Sequence, residues 1–416
     1  MKQNRTTAAL LAALVCLTGA LQAATYYWDA NGTAAGFGTS LTGDWNTSAF
    51  WSTSSDGTAT PVVWPGTGNN DVIFSAVDCS SVSTVSVQNV LGPSAVNSVT
   101  IKAAAQTVKL SGQTSGRFLT MTNAASFNVE NGTAAVDLDL AVNVAGSAGL
   151  VKTGAGTMRL YNSVNSYTGT TRIQQGTLTI GLNFAIPDSS AVVIDSGAAL
   201  RLDDGGGRQE TVGSIAGAGS LFLKGPVANA QALTSGGDNS STEFSGVISS
   251  ANATGWFVKT GNGTLTLSGD NTYAQETRVD AGGLLINANQ SAATGLVTIA
   301  ANAALGGNGT VGGNIVFSSG GKFMFSTNGT LTVTSGKTVT FADFGADDIA
   351  RLSSAVADGT YTLIIGDVSL ANVSNIGKDN AYNLGGGGIA YFENNAGRLD
   401  LTVVSRTLSL MVITSL

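Results

Sequence analysis

The sequence predicts an all-β fold, a right-handed parallel β-helix (β-solenoid) with N- and C-terminal caps. Three observations carry that expectation. Two stretches, VKTGAGTMRLYNSVNSYTGTTRIQQGTLTI (Val151 to Ile180) and VKTGNGTLTLSGDNTYAQETRVDAGGLLI (Val258 to Ile286), are variants of one pattern. Self-similar short strands punctuated by glycine turns are the mark of a solenoid. Gly supplies 55 of 416 residues and Pro only five, with 43% apolar and 11% charged residues. That chain is too glycine-broken for long helices and too apolar for disorder.

The elements follow in order. Residues 1–23 read as a secretory signal: Lys2 and Arg5, an apolar run from Ala8 to Leu17, then Leu21-Gln22-Ala23 before a mature start at Ala24. The apolar run is too short for a membrane span. Without it, 17 of the 19 basic residues face 26 acidic ones, a net charge of −9. Such an acidic chain has no counterions to release from nucleic acid or an anionic membrane, and neither is expected as a partner. Cys79 is the one cysteine remaining, so no internal disulfide is available.

Residues 24–75 hold four of the five tryptophans, Trp28, Trp45, Trp51 and Trp64. The first rung of a solenoid exposes apolar side chains and unpaired backbone, and this segment is expected to cover it as an N-terminal cap. A sugar-stacking platform built from the same indoles is the functional alternative. Residues 76–340 form the solenoid proper, with repeats at 149–181 and 255–288. Period-two alternation turns Met158 and Leu160, and Leu265 and Leu267, inward. Gly154 and Gly156, matched by Gly261 and Gly263, fit turn positions needing positive φ. The copies lie 107 residues apart at first and 106 from Tyr167 and Tyr273 onward, an interval of four or five coils if one coil takes roughly 20 to 25 residues. Residues 341–416 read as a C-terminal cap, with a short helix presenting Ile349, Leu352 and Val356 and ending at Gly359, followed by a ten-residue apolar tail.

Few of the chain's residues point to chemistry. There is no histidine, which removes Ser-His-Asp and Cys-His nucleophiles and, with one mature cysteine, ordinary zinc sites. No cofactor or metal is implied. Gly307 to Gly312 matches a dinucleotide glycine pattern without its strand-to-helix context. Asp203 and Asp204, beside Arg201 and Arg208, form the best carboxylate cluster, of the kind that β-helical lyases and glycosidases use. As neighbours in a strand they would face opposite ways unless they lie in a turn. Asp343, Asp347 and Asp348 suggest helix capping rather than calcium. Lys152 and Lys259, with Arg172 and Arg278, recur in register. They could line a stripe for an acidic glycan, or sit outside the coil beside turn carbonyls. Tyr167 and Tyr273 read as corner-packing residues.

The K-T-G-x-G-T-L-x-L core, the N-x-Y that follows, the T-R-V or T-R-I strand and the later G-x-L resemble the autotransporter-associated β-strand repeat of bacterial passengers. FSGVIS before the second copy and LGGNGTVGGNIVFSSGGKF after it share the resemblance. The opening YWDANGTAAGFG and the closing DGTYTLI and AYFENNAGRLDLTV resemble the ends of exported repeat proteins of Gram-negative, including verrucomicrobial, bacteria. The resemblance implies export through the inner membrane by the bacterial export machinery and a place at the cell surface, at the outer membrane or outside the cell. With about 130 residues after the second copy, no C-terminal autotransporter barrel is expected. The expectation is a non-catalytic structural or adhesive rod that contacts glycans or host and cell-surface components, with Trp28, Trp45, Trp51, Trp64, Lys152 and Lys259 as candidate binding residues. A carbohydrate-active enzyme on the same scaffold is the alternative.

Overall fold

A computed structural model describes residues 23–66, 70–75, 83–86, 94–103, 106–112, 118–202, 208–224, 231–251, 253, 256–395 and 397–405. Residues 1–22 of the expected signal segment, Cys79, the Asp203 and Asp204 pair and the apolar tail lie outside the described residues.

Short strands wind into three faces, and each strand pairs in parallel with the strand one coil away. On the first face the ladder runs through Leu150–Thr153, Thr171–Ile173, Ala191–Ile194, Ser214–Gly217, Thr242–Phe244, Thr264–Leu267, Gly283–Ile286, Ala304–Gly307, Lys322–Met324 and Ile349–Ala350. The second face carries Thr157–Leu160, Thr177–Ile180, Ala199–Arg201, Ser220–Leu223 and Ile248–Ser250, and a separate ladder from Asn289–Gln290 takes that side later in the chain. The third face begins at Glu210–Val212, passes through Trp256–Lys259 and Glu276–Val279, and ends at Asp367–Val368.

Strict register makes the core. Val108, Leu138, Met158, Leu178, Leu200, Leu221 and Ile248 are successive partners down the second face, and all are buried. Each aliphatic side chain so buried stabilises by roughly 1.5–3 kcal/mol before chain entropy is charged against it. Alternation along each strand sends the intervening residues outward, so the inward positions of Met158, Leu160, Leu265 and Leu267 follow the sequence parity.

Gly154 and Gly261 have positive φ, +72° and +67°. Gly156 and Gly263 do not, which corrects the expectation for them. They are glycines for want of room, because a Cβ on Gly156 would lie 2.5 Å from the Glu130 carbonyl oxygen and one on Gly263 would overlap that of Ser240. Tight corners therefore need glycine for two separate reasons, conformation at the first position and inter-coil clearance at the second.

The ends depart from simple coiling. Thr25–Trp28 pairs in parallel with Asn70–Phe74 and antiparallel with Trp51–Ser52, so residues 24–75 extend the first-face ladder while folding back on themselves. At the other end Gly359–Ile365 pairs in parallel with Leu331–Val333, but antiparallel with Arg398–Val404, which leads on to Gly388–Asn394 and Tyr382–Gly385. Phe344 stacks between Phe341 and Phe392 at centroid distances of 4.2 and 5.6 Å, joining that antiparallel unit to the last coils. The expected helix over Ile349, Leu352 and Val356 is a single 3₁₀ turn, Ala346–Asp348. Ile349 is captured as the next first-face rung opposite Phe323, and Arg351 takes φ +72°, which no α-helix tolerates.

Candidate functional site

The recurring titratable side chains of the repeats are the natural place to look for chemistry, and the structure puts the two lysines inside the solenoid. Leu150 and Lys152 are two apart in one strand, as are Phe257 and Lys259, so strand parity aims each lysine at the core. Lys152 is in register between Phe127 and Ile173, and Lys259 between Ser235 and Val279. They are 0% and 1% exposed. This corrects both expectations, the glycan-facing stripe and the position outside the coil.

Each ammonium closes a cage of main-chain carbonyls at a corner. Lys152 Nζ donates to the oxygens of Thr153, Gly154 and Gln175 at 2.8, 2.7 and 3.1 Å. Lys259 Nζ donates to those of Thr260, Gly261 and Ala281 at 2.6, 2.9 and 3.2 Å. Two acceptors come from the lysine's own turn and one from the corresponding turn of the next coil, so the side chain ties successive corners together. Burial pulls both amines down to about 8, opposed by the nearby carboxylates of Asp137 and Asp238 respectively. Asp137 is itself spent on the turn, accepting from the Gly132 and Thr157 amides at 2.8 and 2.7 Å. An ammonium that has given all three protons to carbonyls offers no lone pair and no free donor, and the cage is a structural clip.

The rest of the repeat signature is used the same way. Tyr167 and Tyr273 are buried, and each hydroxyl meets the threonine four residues on, Thr171 or Thr277, at 2.7 Å. Asn165 and Asn271 accept from the amides of Val144 and Ile248, one coil away, at 2.8 and 2.7 Å. The arginines remain partly exposed but are paired. Arg172 lies 3.0 Å from Asp195, and Arg278 lies 3.1 Å from Glu276 while its guanidinium sits 3.9 Å over the Trp256 ring. Trp256, the fifth tryptophan, is thus an outward aromatic that the concentration of the other four obscured.

Those four form one cluster. Trp51 lies 5.0, 4.7 and 4.8 Å from Trp28, Trp45 and Trp64, ring centre to ring centre, and its indole N–H donates to the Trp45 carbonyl at 2.8 Å. All four are buried, Trp64 the most exposed at 4%. A sugar ring needs an open indole face to stack on, and these present none, so the platform expectation is withdrawn from them.

Carboxylates show one unusual environment. Glu210, fully buried at the start of the third face, accepts from the Ala185 and Ile186 amides at 3.0 and 3.1 Å. Burial nonetheless pushes its carboxyl up to about 8. Asp348 accepts from the Gly345 amide at 3.0 Å, closing the 3₁₀ turn. No group of three or more metal-binding side chains occurs among the described residues.

Fold and sites together define a repeat-built parallel β-solenoid whose shared residues are consumed by its own corners. The Passenger-associated-transport-repeat family matches the chain at residues 150–180 and 257–286, the two segments that carry the lysine cages. An 84-residue stretch is 46% identical to a protein of Brucella suis biovar 1 (strain 1330) named "Adhesin BmaC autotransporter", covering 20% of this chain and 2% of the relative. The chain thus spans only a small fraction of the curated relative it matches. No solved structure matches.

Proposed function

We propose that this chain is an exported, non-catalytic, adhesive rod, displayed at or beyond the bacterial surface, whose outer faces engage surface components, glycans among them. The observation that carries the reading is the pair of passenger repeats joined to 46% identity with an adhesin-named autotransporter. The fate of the repeat residues supports it, since the recurring lysines, tyrosines and asparagines hold coils in register and leave no shared catalytic set. On this reading residues 1–23 are the leader read by the export machinery, and residues 24–75 and 341–416 cap the solenoid ends. No helix among the described residues is long and apolar enough to cross a membrane.

The test incubates the chain from Ala24 with arrayed mucin and bacterial glycans and with intact cells, scoring bound protein and released sugar in the same wells. Saturable binding or adherence without release supports the proposal. Released sugar, abolished by changing Asp203 and Asp204, overturns it in favour of a carbohydrate-active enzyme. Inertness toward every surface removes the adhesive part.

A further inference from the structure

Near the C-terminal end of the solenoid a cleft of about 220 Å³ opens where the first face turns into the second. It is lined by residues from successive corners, among them Asn287, Asn308 and Asn328, over Met324 and Phe325, with Arg351 at its edge. The chemistry of this lining differs from that of the rest of the rod.

Arg159, Arg172, Arg278 and Arg398 each pair with a carboxylate. Arg351 is exposed and, among the described residues, its guanidinium has no carboxylate or hydrogen-bond partner. In a chain with net charge −7, none of the described residues lining the cleft is acidic. Arg351 also holds φ +72°, in a turn closed by the Leu352 amide donating to the Ile349 carbonyl at 3.2 Å. Asn239, Asn302 and Asn375 adopt the same region, which asparagine visits readily, and Phe184 does so at φ +56°; for a long side chain such as arginine it is uncommon. Residues held in such backbone regions cluster at functional sites, which makes Arg351 a candidate for one.

The remaining lining suits a sugar ring. The side-chain amides of Asn308 and Asn328 are exposed and make no protein hydrogen bond among the described residues, leaving donors and acceptors for hydroxyls. Met324 and Phe325, 7% and 4% exposed, close the base of the cleft without offering an open face to stack on, and Phe325 is steadied edge-on by Tyr361 at 5.3 Å. The volume of about 220 Å³ leaves room for about one ring within the cleft, with the rest of a longer glycan in solvent.

We propose that this cleft binds a carboxylated monosaccharide, a uronic-acid-type residue whose carboxylate pairs with the Arg351 guanidinium while its hydroxyls meet the corner asparagines. The proposal deepens the adhesive reading, on which it rests, by naming the class of glycan. A planar guanidinium takes a carboxylate through two parallel hydrogen bonds, a geometry a neutral sugar cannot supply.

The test titrates the full chain from Ala24 with galacturonic acid and with galactose, followed by ligand-observed magnetic resonance, and measures adherence to cells in parallel. The wild-type protein should prefer the acid by at least tenfold. Arg351→Gly removes the guanidinium and relieves the backbone strain, so it should abolish the preference with an unchanged or raised melting temperature. Arg351→Lys should keep part of it. Equal binding of the two sugars, binding of neither, or full acid preference in Arg351→Gly overturns the cleft. Adherence that stands while the preference is absent leaves the adhesive reading intact without this site. Preference without adherence to any surface keeps the site and removes the adhesive reading.

Discussion

Replacing Lys259 by methionine isolates the contribution of a carbonyl cage. Methionine preserves most of the stem volume, so lost packing should cost under about 1.5 kcal/mol. The larger loss is the three bonds to Thr260, Gly261 and Ala281 at 2.6 to 3.2 Å. Hydrogen bonds to a charged group contribute roughly 1.5–3 kcal/mol each, but these three share one donor and are not additive. Against them stands the desolvation of the ammonium, seen in the fall of its pKa to about 8. A net destabilisation of about 3 kcal/mol is expected for Lys259→Met and for Lys152→Met. The two cages lie more than four coils apart, roughly 20 Å at the usual strand spacing, so the double variant should show the sum. Denaturant unfolding gives the total, and hydrogen exchange should localise the loss to 259–263 with 281–283 in one variant and 152–156 with 175–177 in the other. A stability change below about 0.5 kcal/mol, or a gain, would mean that desolvation cancels the cage and that the clip argument is wrong.

Three other perturbations test separate links. Gly261→Ala places a methyl onto the Gly236 carbonyl at φ +67° and should cost more than about 2 kcal/mol, whereas Gly336→Ala, also at positive φ but with open space around it, should cost only about 1; equal costs measured by thermal unfolding would refute the inter-coil clearance argument. Glu210 should make stability pH-dependent: its carboxyl is raised from 4.5 to about 8, so the folded state binds the extra proton between those values and stability is lost as pH rises through them. Melting temperatures should fall from pH 5 to 8.5 and do so less in Glu210→Gln; a flat wild-type profile contradicts the shift. Deleting residues 24–75 removes the Trp28, Trp45, Trp51 and Trp64 cluster and bares the first-face edge, and the product should aggregate on size-exclusion chromatography, while a soluble rod would show that the segment is no cap.

The solenoid was legible because its code is local and repeated. Alternation in TMRL and TLTL dictates which side chains enter the core, and glycine at the corners follows from the sharpness of the turns. The same parity, carried back from Leu150 to Lys152 and from Phe257 to Lys259, also held the clue to the buried lysines. Charge pointed the other way, because burying an ammonium is costly unless acceptors surround it. The acceptors are main-chain carbonyls, one of them more than 20 residues on, and backbone acceptors leave no mark in a sequence. The expected helix near residue 349 failed for a related reason: the amphipathic spacing was present, but a waiting parallel edge at Phe323 outcompeted it. The Arg351 cleft was invisible because its parts come from turns brought together only by stacking.

The spacing of the two repeats bears on what recurrence means in this fold. The first copy places its lysine strand on the first face and its TMRL strand on the second. The second copy places the matching strands on the third and first faces. From Leu150–Thr153 the first-face ladder advances four coils to Thr242–Phe244, and the chain then crosses the second face to reach Trp256–Lys259 on the third. The copies are therefore offset by four coils and two of three faces, not a whole number of turns. Residues matched in sequence do not share a side of the rod, so Arg172 and Arg278 cannot form one basic stripe whatever their exposure. A motif that keeps its internal contacts while changing face is selected for closing corners, which any face can use, and not for presenting a surface. On the adhesive reading proposed above, recognition would then fall to residues outside the repeat signature, such as Arg351.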